Sequence, residues 1–381
     1  MLPALSGDCF LIDINQKRII IDGGYSSTYK TTLKHILHKS CFEPIIELVV
    51  VTHIDRDHIE GVIELLKDDI SVKQIWFNTY RQLPKKTVSH DLTHEEIEIL
   101  RGYKIHHNEL NGQKEISAAQ GMALSHYIEI KGISLNSTTE GSAICLENIQ
   151  QFWLSSDIKV ILLSPKIEQL SNLAYEWLLE LRRKKWTFEF TNDKQFDAAM
   201  EAFLLSNVKD YDVTNSAISN RSYLSITELA KEIATPDKSI TNASSISFIL
   251  EYKGKRLLFL GDVPEDQILD AIEDLQYEHF DVIKVAHHGS LKNANSLFDR
   301  IDGEYFLIST NGSNHEHPHK ATIAKIISRP TNLTRKIVFN YPHDAYKHYN
   351  DTQLMETYNY SIVLTTNAEP IILTTWDSEE A

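Results

Sequence analysis

His53, Asp55, Asp57 and His58 put four metal-ligand side chains into six consecutive positions. They follow directly on residues 45–51, an apolar, β-branched run that reads as a buried strand. Charge and imidazole at that density beside a core strand are costly unless compensated, and a metal ion is the simplest compensation. In extended chain, residues two apart share a face, so His53, Asp55 and Asp57 can converge, while a turn starting at Asp57 swings His58 to a second point. Asp57 and His58 are adjacent and cannot easily serve one ion from an extended segment. The spacing therefore favours two ions over one. Similar residues recur at the ends of three later apolar runs: Gly261-Asp262, then His287-His288-Gly289-Ser290, then His315-Glu316-His317-Pro318-His319. Open α/β layers place their sites at such strand ends.

The elements that must position these groups alternate. Residues 7–14 and 17–24 read as strands joined at Asn15-Gln16, followed by a helix over 28–39, the 45–51 strand, a helix over 59–67 and a strand over 71–77. That alternation predicts a layered α/β architecture. Helices are expected over 87–102 and 117–131. His90, His94, His106, His107 and His126 lie among them, and no spacing selects any one as a ligand. A strand over 160–165 leads into residues 166–237, read as a mostly helical insertion within one 1–381 domain. It holds helices over 170–185 and 196–205 and a polar stretch over 207–222. Its Arg182-Arg183-Lys184-Lys185 run reads as a solvated helix end. Strands over 245–250 and 256–262 form a hairpin around Lys253-Gly254-Lys255, strands follow at 280–286 and 305–310, and 336–340, 361–365 and 370–375 are expected as edge strands.

The 381 residues are 42% apolar and 24% charged, the make-up of an ordinary globular chain. No window holds the ~18–20 apolar residues of a membrane helix, and the N-terminus lacks a basic stretch followed by an apolar one, so no membrane contact and a cytoplasmic location are expected. Cys9, Cys41 and Cys145 show no CxxC pairing and read as reduced core residues. The net charge of −15 argues against a broad nucleic-acid-binding surface. A phosphate substrate at the site itself is still open, because bound divalent ions reverse the local sign.

The Gly7-Asp8 and Asp22-Gly23-Gly24 opening, the loop from His53 to Gly61, Gly261-Asp262 and His287-His288-Gly289-Ser290 together resemble the metallo-β-lactamase superfamily of metallohydrolases over nearly the whole chain. Its commonest loop is His-x-His-x-Asp-His, and Asp55 stands where the second histidine would be. That variant, with His-His-Gly-Ser and a later His-Pro, is similar to the ComEC-type hydrolase domain of the competence DNA-uptake channel and its free-standing soluble relatives. The resemblance implies a four-layer αββα sandwich and a site with two divalent ions. It implies that His53 and Asp55 hold one ion, that Asp57, His58 and one of His287 or His288 hold the other, and that Asp262 bridges them. His288 is the favoured one of that pair. The superfamily's usual mid-chain histidine has no clear counterpart. His317, before Pro318, is the candidate proton donor or phosphate contact, with His315 and His319 close by in sequence.

Two ions ~3.5–4 Å apart can lower the pKa of a water held between them and clamp the charge of a phosphorane-like transition state. Asp57 or Asp262 could orient that water. A carboxylate at position 55 shifts metal preference from zinc towards manganese, magnesium or iron. Ser290 is expected to cap a helix, since no adjacent base would activate it as a nucleophile. The expected function is metal-dependent phosphodiester hydrolysis, on nucleic acid or a nucleotide. Two alternatives stand beside it: hydrolysis of an ester, lactone or thioester, and a non-catalytic member that binds a protein partner through 166–237.

Overall fold

The turn at Asn15-Gln16 takes both residues through positive φ, 51° and 65°, the geometry with which a two-residue hairpin follows the natural strand twist. It joins β1 (Phe10–Ile14) to β2 (Lys17–Ile21). The computed structural model describes residues 1–39, 45–84, 104–105, 124–183, 188–189, 224–313, 316–364 and 369–373. The helices expected over 87–102 and 196–205, the start of that over 117–131, the polar stretch 207–222, Cys41, His90, His94, His106, His107 and His315 lie outside the described residues, as do the side chains of the Arg182–Lys185 run. Cys9 and Cys145 are buried and form no disulfide among the described residues. The chain is a mixed α/β protein with two multi-stranded sheets, and it divides into two compact units. Among the described residues no helix is long and apolar enough to cross a membrane.

One unit comprises Ile12–Gln150 and Pro165–Val208. Its six-stranded sheet runs β1-β2-β3-β5-β7, where β3 is Ile45–Val50, β5 is Gln74–Trp76 and β7 is Ser134–Leu135; β4 (Ser71–Val72) pairs with β3. β2, β3, β5 and β7 are parallel, and the buried runs Ile19 to Ile21 and Leu48 to Val50 are the continuous apolar stretches such strands need. α1 (Arg56–Lys67) carries Ile59, Val62, Ile63 and Leu66 at helical spacing, and all four are buried. α2 (Ile167–Arg183) stands where a helix over 170–185 is expected, while β6 (Lys104–Ile105) and β10 (Phe188–Glu189) form a separate antiparallel pair.

α1 starts where backbone meets backbone. Gly23 N–H donates to His58 O at 2.7 Å and Gly61 N–H to Gly24 O at 2.9 Å. A Cβ on Gly61 would land on the carbonyl oxygen of Gly23, so neither chain can carry a side chain there. Gly61→Ala is expected to lower stability by ~1–3 kcal/mol through overpacking. The check is a lower urea midpoint at unchanged slope.

The other unit comprises Met1–Leu11, Gln151–Ser164 and Lys209–Ala381. Its eight-stranded sheet has the order β16-β15-β14-β13-β12-β11-β9-β8, with β8 at Gln151–Trp153, β9 at Ile158–Ser164, β11 at Ser247–Tyr252, β12 at Lys255–Phe259, β13 at His279–Lys284, β14 at Asp302–Ile308, β15 at Arg335–Phe339 and β16 at Tyr360–Leu364. β12 to β16 are parallel, so their C-terminal ends share one edge, while β11 runs antiparallel to both β12 and β9. α3 (Glu265–Leu275) and α4 (Lys320–Ser328) supply Ile268, Ile272, Ile323 and Ile327 to a core that includes Ile249, Leu258, Ile283, Phe306 and Ile337.

Two strand expectations need correction. β15 is internal, hydrogen-bonded to β14 and β16, because Arg335 at its start is fully buried against Asp302. Residues 370–373 lie in no strand: Ile371 instead pairs with Met1 through backbone bonds of 2.9 and 3.0 Å.

Candidate metal centre

In the first unit, Asp22 organises the ligand loop. Its Oδ1 accepts from Thr52 N–H and its Oδ2 from Thr52 Oγ1, both at 2.8 Å, and Oδ2 is also 2.8 Å from His58 Nδ1. A carboxylate on Nδ1 fixes the tautomer that turns Nε2 outward as a donor atom, as second-shell carboxylates do for metal-binding histidines. Thr52 Oγ1 lies 3.0 Å from His53 Nδ1 and orients that ring likewise. The two rings stand 4.2 Å apart at 50°. His53 Nε2 is buried and makes no hydrogen bond among the described residues; Asp55 Oδ2 lies 3.5 Å from it. Asp57 Oδ1 is 3.9 Å from His58 Nε2.

The loop reaches this geometry differently from the extended segment expected. β3 ends at Val50, Asp55 is the N-cap of α1, and Asp57 and His58 lie in its first turn. The first turn favours a carboxylate through the helix dipole, and helical rotation buries His58 while leaving Asp57 partly exposed. His53, Asp55, Asp57 and His58 thus form one group, though not along one face of a strand.

In the second unit the strand ends deliver a second group. Asp8, Asp262 and His288 are buried, and each offers a ligand atom within 4.8 Å of the others. His288 Nδ1 donates to Ser309 O at 2.8 Å, leaving Nε2 facing Asp262 Oδ2 at 3.6 Å. His287 Nε2 stands 3.8 Å from the same oxygen. Both histidines have positive φ, 45° and 53°, a conformation that side-chain-bearing residues seldom adopt, held here by the tight turn after β13. On the Nδ1 side of His287 lie Asp237 Oδ2 at 3.3 Å and Asn293 Oδ1 at 3.1 Å. Burial disfavours the His287 cation, but the Asp262 and Asp237 carboxylates outweigh it and hold the pKa above the ordinary histidine value. Burial likewise works against ionised Asp237. Its bonds to His287, Asn242 and Ser239 N–H prevail and bring its pKa down to about 2.

Asp262, His287, His288 and His317 lie together, the His317 ring standing 4.9 Å from that of His287. His319 is otherwise engaged, its Nδ1 accepting from Leu291 N–H at 3.1 Å. Ser290 is no side-chain cap. It precedes only a 3₁₀ turn, Leu291–Asn293, and its buried Oγ makes no hydrogen bond. His126, in a helix at Leu124–Ile130, meets the Tyr127 ring edge-on.

Sequence reasoning assigned no role to Thr52, Asp237, Asn293 or Lys284, and took Asp8 and Asp22 only as parts of an opening motif. Lys284 carried a readable signal: a lysine on the same strand face as Val282 and next to Ile283, where a charge must find a partner. Its Nζ donates to Gly261 O at 2.9 Å and pairs with Asp8 and, at 3.3 Å, with Asp262 Oδ1.

Buried carboxylate and imidazole donors, each histidine locked from its Nδ1 side, suit a divalent cation, and the unsatisfied Nε2 of His53 fits the same reading. No protein-family model matches the chain, and a search of curated proteins finds no match.

Proposed function

We propose that the chain is a metal-dependent phosphodiesterase or nuclease with the four-layer metallo-β-lactamase sandwich. The observation that carries this is the buried convergence of Asp8, Asp262 and His288, with His288 aimed at Asp262 by its bond to Ser309. The His53 to His58 group adds a second set of donors of the same chemistry. Divalent ions there would supply Lewis acidity, activating water and stabilising the charge that builds on a phosphoryl group.

The protein's own part is to hold and orient. Asp22 and Ser309 set the histidine tautomers. Asp237 and Asn293 hold His287 beside Asp262. His317, buried next to His287, would give a proton to the leaving oxygen.

The full-length chain is to be incubated with manganese, magnesium or zinc and with labelled single- and double-stranded DNA, RNA, cyclic nucleotides and small activated esters. Metal-dependent phosphodiester cleavage that disappears in His53→Ala and Asp262→Ala is the expected result. Turnover confined to the esters overturns the proposed substrate class.

A further inference from the structure

Lys284 is 1% exposed, yet it is a full charge at the C-terminal end of β13. A buried ammonium persists only where its desolvation is offset, and three acceptors do so here: Gly261 O, the Asp8 carboxylate and Asp262 Oδ1. The Asp262 carboxylate is thereby divided, with Oδ1 turned to Lys284 and Oδ2 to His287 and His288 at 3.8 and 3.6 Å.

We propose that Lys284 is a fixed internal cation that limits metal binding by this group, holding Asp8 Oδ2 and Asp262 Oδ1 so that the group presents Asp8 Oδ1, Asp262 Oδ2 and histidine nitrogen to an ion. This deepens the proposed function and rests on its reading of the group as a metal site. Asp8, Asp262 and Lys284 together carry one net negative charge, where the two acids alone would carry two. A divalent ion is accordingly held less tightly than the donor count suggests. The same arrangement makes the fold independent of metal, because the buried carboxylates already have a counter-charge. Asp262 Oδ1 is withheld from any ion while the lysine stays in place.

The test compares the full-length chain with Lys284→Met, a side chain of similar length without charge. Both are stripped with chelator and titrated with manganese and with zinc by calorimetry, with bound metal counted by elemental analysis and melting temperature recorded with and without metal. Lys284→Met is expected to gain at least tenfold in metal affinity or to bind an additional ion, and its melting temperature is expected to become strongly metal-dependent while the parent's is not. The double variant Asp8→Asn with Lys284→Met keeps the net charge, so it serves should the single variant not fold; a smaller gain in affinity is expected of it, from the release of Asp262 Oδ1 alone. Metal bound equally well by parent and variants overturns this role of Lys284 alone. Failure of every protein to bind metal overturns the proposed function and this role with it.

Discussion

Asp262→Ala is expected to lower metal-dependent phosphodiester hydrolysis by ~10²–10³-fold or more, the scale of losing one preorganised electrostatic contact in a catalytic site. Asp262 is the point on which the second group converges: His287 and His288 face one oxygen, Lys284 the other. Its removal takes away the acid that faces both histidines, and the loss is expected mainly in kcat, since the interaction strengthens as charge develops. The fold is expected to survive, because Lys284 keeps Asp8 and Gly261 O as partners. Circular dichroism and melting temperature check that first, followed by steady-state kinetics at saturating manganese. A kcat within tenfold of the parent's would remove Asp262 from the chemistry. His319→Ala is the useful contrast, since its Nδ1 serves the Leu291 backbone and its loss should register in stability before activity.

Arg335→Ala is expected to be the most damaging substitution for the fold, at ~3–5 kcal/mol, because it strands a buried carboxylate. Arg335 Nε and Nη2 donate to Asp302 Oδ1 and Oδ2 at 2.7 and 2.8 Å, a bidentate pair with both side chains shielded from water. Gly303 N–H adds a third bond to Asp302 at 2.8 Å. The pair clamps the starts of β14 and β15, whose opposite ends lead to Ser309 and Asn340, and the Asn340 carboxamide bonds Ser309 Oγ and Thr310 N–H. Loss of the pair should therefore loosen the carbonyl that aims His288. Urea unfolding measures the cost. Replacing both partners with apolar residues, Arg335→Met with Asp302→Leu, is expected to cost less than either single change, since no isolated charge remains. A single-variant cost under ~1 kcal/mol, the range of exposed pairs, would contradict the burial argument.

Much of the frame was legible locally. Apolar runs marked nearly every long strand, and the spacing of Ile59, Val62, Ile63 and Leu66 marked α1. These succeeded because period and burial are properties of neighbouring residues. β15 was misplaced to an edge for the opposite reason: the partner that lets Arg335 enter the interior lies 33 positions away. Residues 370–373 have apolar side chains enough for a strand, but their backbone bonds go to Met1, at the far end of the chain.

The same division holds at the candidate site. Residue types and spacing alone determined that His53, Asp55, Asp57 and His58 stand at a strand end, and that Asp262, His287 and His288 end two further strands, because a ligand cluster on an apolar run is visible wherever it occurs. Only the tertiary structure decided which atoms face one another. It turned the His58 group into the first turn of a helix, set Asp22 behind His58 and Ser309 behind His288, and drew Asp8 and Lys284 against Asp262. Those partners come from distant segments, and a lone acid or lysine in sequence carries no mark of the opposite charge that makes its burial affordable.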